Sequence, residues 1–79
     1  MKANRAYRLI VTREGRVPAL LADAERVDHI EVVNIDDGEV VLFWDRPAHA
    51  ASRMARALRE ELSRLEADEF IARWSSVEG

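Results

Sequence analysis

The apolar residues in the C-terminal third of the chain follow a helical period and then change face. From Ala51 to Leu65 they recur three and four residues apart, which predicts one apolar stripe along an amphipathic helix. If the helix continues at about 100° per residue, the next apolar group points about 150° away from that stripe. The members of this second group are Ala67, Phe70, Ile71 and Trp74.

Two geometries satisfy this change of face. In the first, the helix breaks near Ala67, Asp68 caps a short second helix, and Trp74 folds back onto the sheet. In the second, the helix runs on, and its end docks on a second subunit. The second geometry is favoured here, because three exposed large apolar residues would form a patch that monomers usually avoid.

Alternating apolar and β-branched residues predict strands earlier in the chain. The first strand covers residues 6–12, and a hairpin covers residues 29–45. In this hairpin, Ile30–Ile35 is antiparallel to Glu39–Asp45. Asp36–Gly38 forms the tight turn, in which glycine is free to adopt positive φ.

The last of these strands is apolar at consecutive positions. Val40–Trp44 contains no polar residue, unlike a strand that has one face in water. We therefore expect this strand to be central in the sheet, or to be covered on its second face by a helix or another subunit.

Two helical segments complete the predicted secondary structure. A short helix is predicted over residues 18–26, because its apolar residues have a helical spacing and Pro18 suits a first turn. The long helix is predicted over residues 47–67 with Asp45 as its N-cap. A segment over residues 68–75 follows the possible break.

The predicted order is strand, helix, strand, strand, helix. It indicates one α+β domain over residues 1–79, with a small three-stranded, mostly antiparallel sheet and the long C-terminal helix packed on one face. Strand order is left open. If the first strand lies beside the next, a right-handed crossover would make the two parallel.

Composition limits the possible chemistry. The chain has no cysteine, so a thiol nucleophile or thiolate metal site is excluded. Neither His29 nor His49 belongs to a metal-binding spacing, and no nucleotide-binding or nucleophile motif is present. We expect no enzyme activity, cofactor or metal. The longest apolar run is about five residues, whereas a membrane span needs about 20, and a polar N-terminus argues against a signal peptide. The expected location is therefore cytoplasmic.

Charge is divided into blocks along the chain, although the net charge is only −3. Four arginines precede a run of acids in the long helix: Arg46, Arg53, Arg56 and Arg59. Pairing at i,i+4 along Arg56, Glu60, Arg64 and Asp68 accounts for this order without a ligand. One lysine among twelve basic residues is typical of a GC-rich bacterial genome.

The same arginines also permit a second interpretation. Together with Arg5, Arg8, Arg13 or Arg16, they would contact an anionic partner, with nucleic acid as one candidate. Nucleic-acid binding is disfavoured by the acidic net charge and by the lack of aromatic residues interleaved with basic ones. A small nucleic-acid-binding regulator is therefore the alternative hypothesis.

The favoured hypothesis is a small, non-enzymatic, homodimeric accessory or regulatory protein that acts through protein–protein contact. Aromatic residues are enriched at interfaces. The predicted interface residues are Phe70, Ile71, Trp74 and Trp44. For Trp44, a place in the hydrophobic core is the favoured interpretation, whereas for Phe70 and Trp74 core and interface explain the residues about equally well.

Overall fold

The computed structural model describes residues 1–13 and 27–77. It has the predicted α+β class, with helices packed on an antiparallel sheet. In chain order its elements are α1 (Ala3–Ala6), β1 (Tyr7–Arg13), β2 (Val27–Asn34), β3 (Val40–Pro47), α2 (Ala48–Arg64) and α3 (Ala67–Trp74). The predicted short helix over residues 18–26 lies outside the described residues.

Within the described residues, the strands form one antiparallel sheet in the order β1-β2-β3. The expectation that neighbouring first strands would be parallel was wrong. Arg13, at the end of β1, pairs with Asp28, near the start of β2. The chain therefore re-enters the sheet at the end where it left, and such a return makes the two strands antiparallel.

The hairpin turn between β2 and β3 is built as predicted. Gly38 has φ +74°, a conformation that glycine adopts without steric cost. Its N–H donates to the Asn34 carbonyl oxygen at 2.8 Å, and the Asn34 side-chain oxygen accepts from the Asp36 N–H at 2.8 Å. The Asp37 carboxylate accepts from the Glu39 N–H at 2.8 Å. The turn thus satisfies its own backbone groups.

The apolar strand β3 lies at the edge of the described sheet, so the prediction of a central position was wrong. The central strand is β2, whose Ile30 and Val32 are fully buried. A shift in register falls between Val32 and Val33, which pair with Leu42 and Val40 respectively. Because Val41 is extra in this alignment, two neighbouring valines of β3 are partly exposed.

The core lies between one face of the sheet, called here the inner face, and the helices. The largest fully buried side chains come from both layers: Trp44, Phe70, Ile30, Leu58 and Val32. Helix α2 adds Ala51, Ala55 and Leu62, and α1 adds Ala3. The apolar stripe of α2 thus packs against every second residue of the strands, as the helical and strand periods of the sequence predict.

The long helix breaks, so the first of the two predicted geometries is the one observed. Leu65 has an extended backbone (ψ 155°), and α3 begins at Ala67. Phe70 is completely buried, and Trp74 packs edge-on against Trp44 with 5.9 Å between ring centroids. The continuous helix docked on a second subunit, which the sequence favoured, was therefore wrong.

The first residues of the chain fill this break. The Ala3 N–H donates to the Leu65 carbonyl oxygen at 2.9 Å, and the Ala67 N–H donates to the Met1 carbonyl oxygen at 2.9 Å. Lys2 Nζ donates to the Arg64 carbonyl oxygen at 3.0 Å. Backbone groups released by the break are therefore paired within the chain.

Both predicted helix caps are replaced. Glu66, rather than Asp68, occupies the N-cap of α3, and the Asp68 carboxylate accepts from the Glu69 N–H inside the first turn. Pro47 occupies the N-cap of α2, because Asp45 stays in β3 and its carboxylate pairs with His29. The break also moves Arg64 away from the predicted pairing with Asp68, and Arg64 instead lies 3.7 Å from Glu61.

Candidate functional site

The face of the sheet turned away from the helices, called here the outer face, carries three rows of side chains. In the first row, Arg8 of β1 lies beside Val33 of β2 and Val40 of β3. The second row is Ile10, Glu31 and Phe43, and the third is Thr12, His29 and Asp45. Strand alternation places these residues opposite the core-facing set.

Large apolar side chains are exposed on this outer face. Phe43 keeps 49% of its surface accessible, and Ile10 and Val41 each keep 39%. Val40 and Ile35 are exposed to a similar extent. Several exposed apolar residues on one face of a sheet indicate an interaction site more strongly than a single exposed residue does.

One side of the Phe43 ring is fixed by its neighbour. His29 stacks on it with 6.0 Å between ring centroids and an interplanar angle of 20°. The His29 imidazole is in turn held by the Asp45 carboxylate. The ring therefore contacts His29 and still keeps about half of its surface accessible.

A depression of about 230 Å³ lies around Arg8 and Val33, in the first row of the outer face. It is lined by Arg8, Ile10, Val33, Asn34, Ile35 and Gly38. The outer face thus combines a protruding aromatic ring with an apolar hollow that has a basic residue on its rim.

Two opposite charges on the outer face are one strand apart. Arg8 lies on β1 in the first row, and Glu31 lies on β2 in the second row, two residues further along the strand direction. The ion pairs formed among residues 1–13 and 27–77 involve neither side chain. Both charges are therefore available to a molecule that covers this face.

A second feature lies on the inner side, where the sheet and α2 diverge. It is a cleft of about 470 Å³. Its lining residues come from β1, β2 and α2: Val11, Arg13, Asp28, Ala51, Ser52, Ala55, Arg56 and Arg59. We call this feature the arginine cleft.

The register of the sheet explains how charged residues reach this cleft. Arg13, Asp28 and Arg46 form one row across the three strands. Asp28 is only 2% exposed, whereas Arg13 at the end of β1 is exposed. Arg56 and Arg59 approach from the opposite side, since residues three apart share one face of a helix.

The structure divides the arginines that the sequence grouped as a possible anion contact. Arg56 and Arg59 line the cleft, and Arg13 joins them from β1. Arg53 is exposed outside the lining, and Arg46 donates to the Asp45 carbonyl oxygen at 2.9 Å. The sequence named Arg13 as one of four arginines that could join the helix arginines, but it had no signal that distinguished Arg13 from the other three.

The residues predicted to form an interface have a different environment. Trp44 and Phe70 are within the core of the single chain, and Trp44 Nε1 donates to the Val77 carbonyl oxygen at 3.0 Å. Ile71 and Trp74 are partly buried and pack on the same core. The chain itself covers these side chains, so the reason for assigning them to a partner is removed.

Comparison with known proteins gives no independent guide. No protein-family model, no curated protein and no solved structure matches the chain. Among the described residues, no helix is long and apolar enough to cross a membrane. The same part of the chain contains no group of three or more acidic or histidine side chains placed to hold a metal ion. The outer face and the arginine cleft are therefore the features that bear on function.

Proposed function

We propose that this protein acts through protein–protein contact as a homodimer in which the outer faces of two sheets pack against each other. The observation that supports this proposal is the self-complementary outer face. It carries a knob (Phe43), a hollow beside Arg8 and Val33, and two unpaired opposite charges. A C2 interface requires such self-complementarity, because the same patch serves both copies.

One symmetry operation can use all of these features together. Strands lie about 4.8 Å apart and rise about 3.3 Å per residue. On that lattice, consider a two-fold axis in the interface plane that crosses the line from Arg8 to Glu31 at its midpoint and at a right angle. This axis sets Arg8 of each copy opposite Glu31 of the other. The same rotation brings Phe43 of one copy over the hollow of the other. The apolar face of β3 would then have the second cover that its sequence predicts.

The size of the face indicates a weak dimer. A strand of eight residues is about 26 Å long, and three strands span about 14 Å. The footprint is thus roughly 400 Å² per copy before side-chain relief is counted, below the approximately 800 Å² of a standard interface. We therefore expect dissociation in the micromolar range, as suits a regulatory or accessory protein that exchanges partners.

Charge reversal provides the sharpest test of this dimer. In Arg8→Glu, position 8 faces a glutamate of the second copy, and in Glu31→Arg, position 31 faces an arginine. Each variant alone should sediment as a monomer at concentrations where the wild type is dimeric. An equimolar mixture should recover the dimer, because both interfacial pairs become opposite in charge.

Recovery on mixing cannot arise within one chain, since each variant carries two like charges at these positions. Matched controls are Arg5→Glu and Glu60→Arg, which reverse exposed charges away from the outer face. Analytical ultracentrifugation of all samples at several concentrations is the measurement. A wild type that remains monomeric at high micromolar concentration would contradict the proposal, as would a dimer unaffected by either reversal.

A further inference from the structure

The arginine cleft has a charge arrangement that packing alone does not require. Arg13, Arg56 and Arg59 converge on one cavity, and the ion pairs among the described residues involve none of them. The chain has 15 acidic residues against 12 basic ones. Like charges that share a cleft repel one another, and a bound anion relieves this repulsion.

We propose that the arginine cleft binds a small molecule that carries a phosphate group. Planar guanidinium groups match the oxygens of phosphate and donate two hydrogen bonds at a time. The Ser52 hydroxyl is a further donor on the α2 side, and Val11, Ala51 and Ala55 supply apolar surface. A polar cluster set beside small apolar residues is typical of a ligand pocket.

Asp28 limits where the phosphate can lie in the cleft. It forms part of the cleft lining and is nearly inaccessible to solvent. A carboxylate accepts hydrogen bonds and does not attract a phosphate. The phosphate is therefore placed among the arginines, on the side of the cleft away from Asp28.

The structure favours a small ligand over nucleic acid. A polynucleotide is held by a track of cations that neutralises several phosphates. Here Arg8 lies on the opposite face of the sheet, Arg53 lies outside the cleft, and Glu60 and Glu61 directly follow Arg59 along α2. The cleft of about 470 Å³ also matches a single compact ligand.

Backbone NMR titration tests this proposal on the intact chain, with ribose 5-phosphate and inorganic pyrophosphate as probes. We expect saturable shifts at the end of β1, at the start of β2 and around Arg56 with either probe. Arg56→Gln and Arg59→Gln should each weaken the binding of ribose 5-phosphate about tenfold or more, the usual loss for one charge-assisted hydrogen bond. The matched control, Arg53→Gln, removes a charge from the same helix outside the cleft and should leave binding unchanged.

Three results would overturn the proposal. The first is the absence of saturable shifts at millimolar probe concentration in a protein whose spectrum shows it is folded. The second is an equal loss of binding in Arg53→Gln and Arg56→Gln, which would indicate general charge attraction. The third is tighter binding of a short single-stranded or duplex oligonucleotide, with a steep salt dependence, which would support a nucleic-acid surface instead. The dimer test is independent, because the cleft and the outer face lie on opposite sides of the sheet.

Discussion

Both faces of the sheet carry large apolar residues, but those of the inner face are buried and those of the outer face are exposed. On the inner face, Ile30 and Trp44 are buried under α2 and α3, whereas on the outer face Ile10 and Phe43 keep much of their surface accessible. Both sets come from the same strands and alternate along them. Apolar alternation therefore identifies which residues share a face, but the helices decide which face becomes the core.

The largest difference in stability is expected between substitution of Phe70, in the core, and substitution of Phe43, on the outer face. Phe70→Ala removes a fully buried ring and should lower the free energy of unfolding by about 3–5 kcal/mol. Phe43→Ala removes a half-exposed ring and should cost the monomer less than about 1 kcal/mol, yet it should abolish the dimer. Urea unfolding at low protein concentration and sedimentation at high concentration measure the two effects.

If Phe70→Ala does not fold, Phe70→Leu leaves a smaller cavity and keeps the comparison measurable. Equal losses of stability for Phe43→Ala and Phe70→Ala would show that the outer face is part of the monomer core. A Phe43→Ala variant that dimerises as well as the wild type would move the interface away from β3.

A smaller effect on stability is expected at the hairpin turn that connects β2 and β3. Gly38 has positive φ, and a Cβ placed there would meet no atom within 4 Å. The cost of Gly38→Val is therefore backbone strain rather than collision, about 1–2 kcal/mol. Gly38→Asn, which tolerates this conformation better, is the matched control. Equal melting temperatures for the valine variant and the wild type would contradict the assigned turn.

The smallest expected effect is the difference in stability between substitutions of Trp44 and Trp74, whose rings are in contact on the inner side. Trp44 Nε1 donates to the Val77 carbonyl oxygen, whereas Trp74 Nε1 is buried without an acceptor among the described residues. Trp44→Phe should thus cost about 1 kcal/mol more than Trp74→Phe, the net value of one hydrogen bond. Urea unfolding of both variants measures this difference, and a larger loss in Trp74→Phe would indicate that its N–H has a partner.

Local signals in the sequence were sufficient for much of the fold. The turn at Asp36–Gly38, the strands on either side of it and the stripe from Ala51 to Leu65 were predictable, because turn residues and period act within a few residues. The antiparallel pairing of β2 with β3 followed from the hairpin, whereas the orientation of β1 did not. These features depend on neighbours in the chain, so one sequence is enough to identify them.

The tertiary structure decided the features that depend on distant residues. The helix break is stabilised by two hydrogen bonds that no local pattern indicates: Ala3 N–H donates to the Leu65 carbonyl oxygen, and Ala67 N–H donates to the Met1 carbonyl oxygen. Trp74 reaches Trp44 only because that break turns α3 back to the sheet. The prediction of an interface at these aromatic residues assumed that they are exposed, whereas the chain itself buries Phe70 and Trp44 and partly buries Trp74.

The arginine cleft shows that the prediction of a functional site from the sequence has the same limit. The sequence determined that Arg56 and Arg59 share one helix face, because a three-residue spacing brings them together. Only the packing of α2 on the sheet, and the register that sets Arg13 beside Asp28, placed a strand residue next to them. Periodicity is a property of neighbouring residues, whereas a binding cleft forms where distant segments meet, and packing of the whole chain decides where that is.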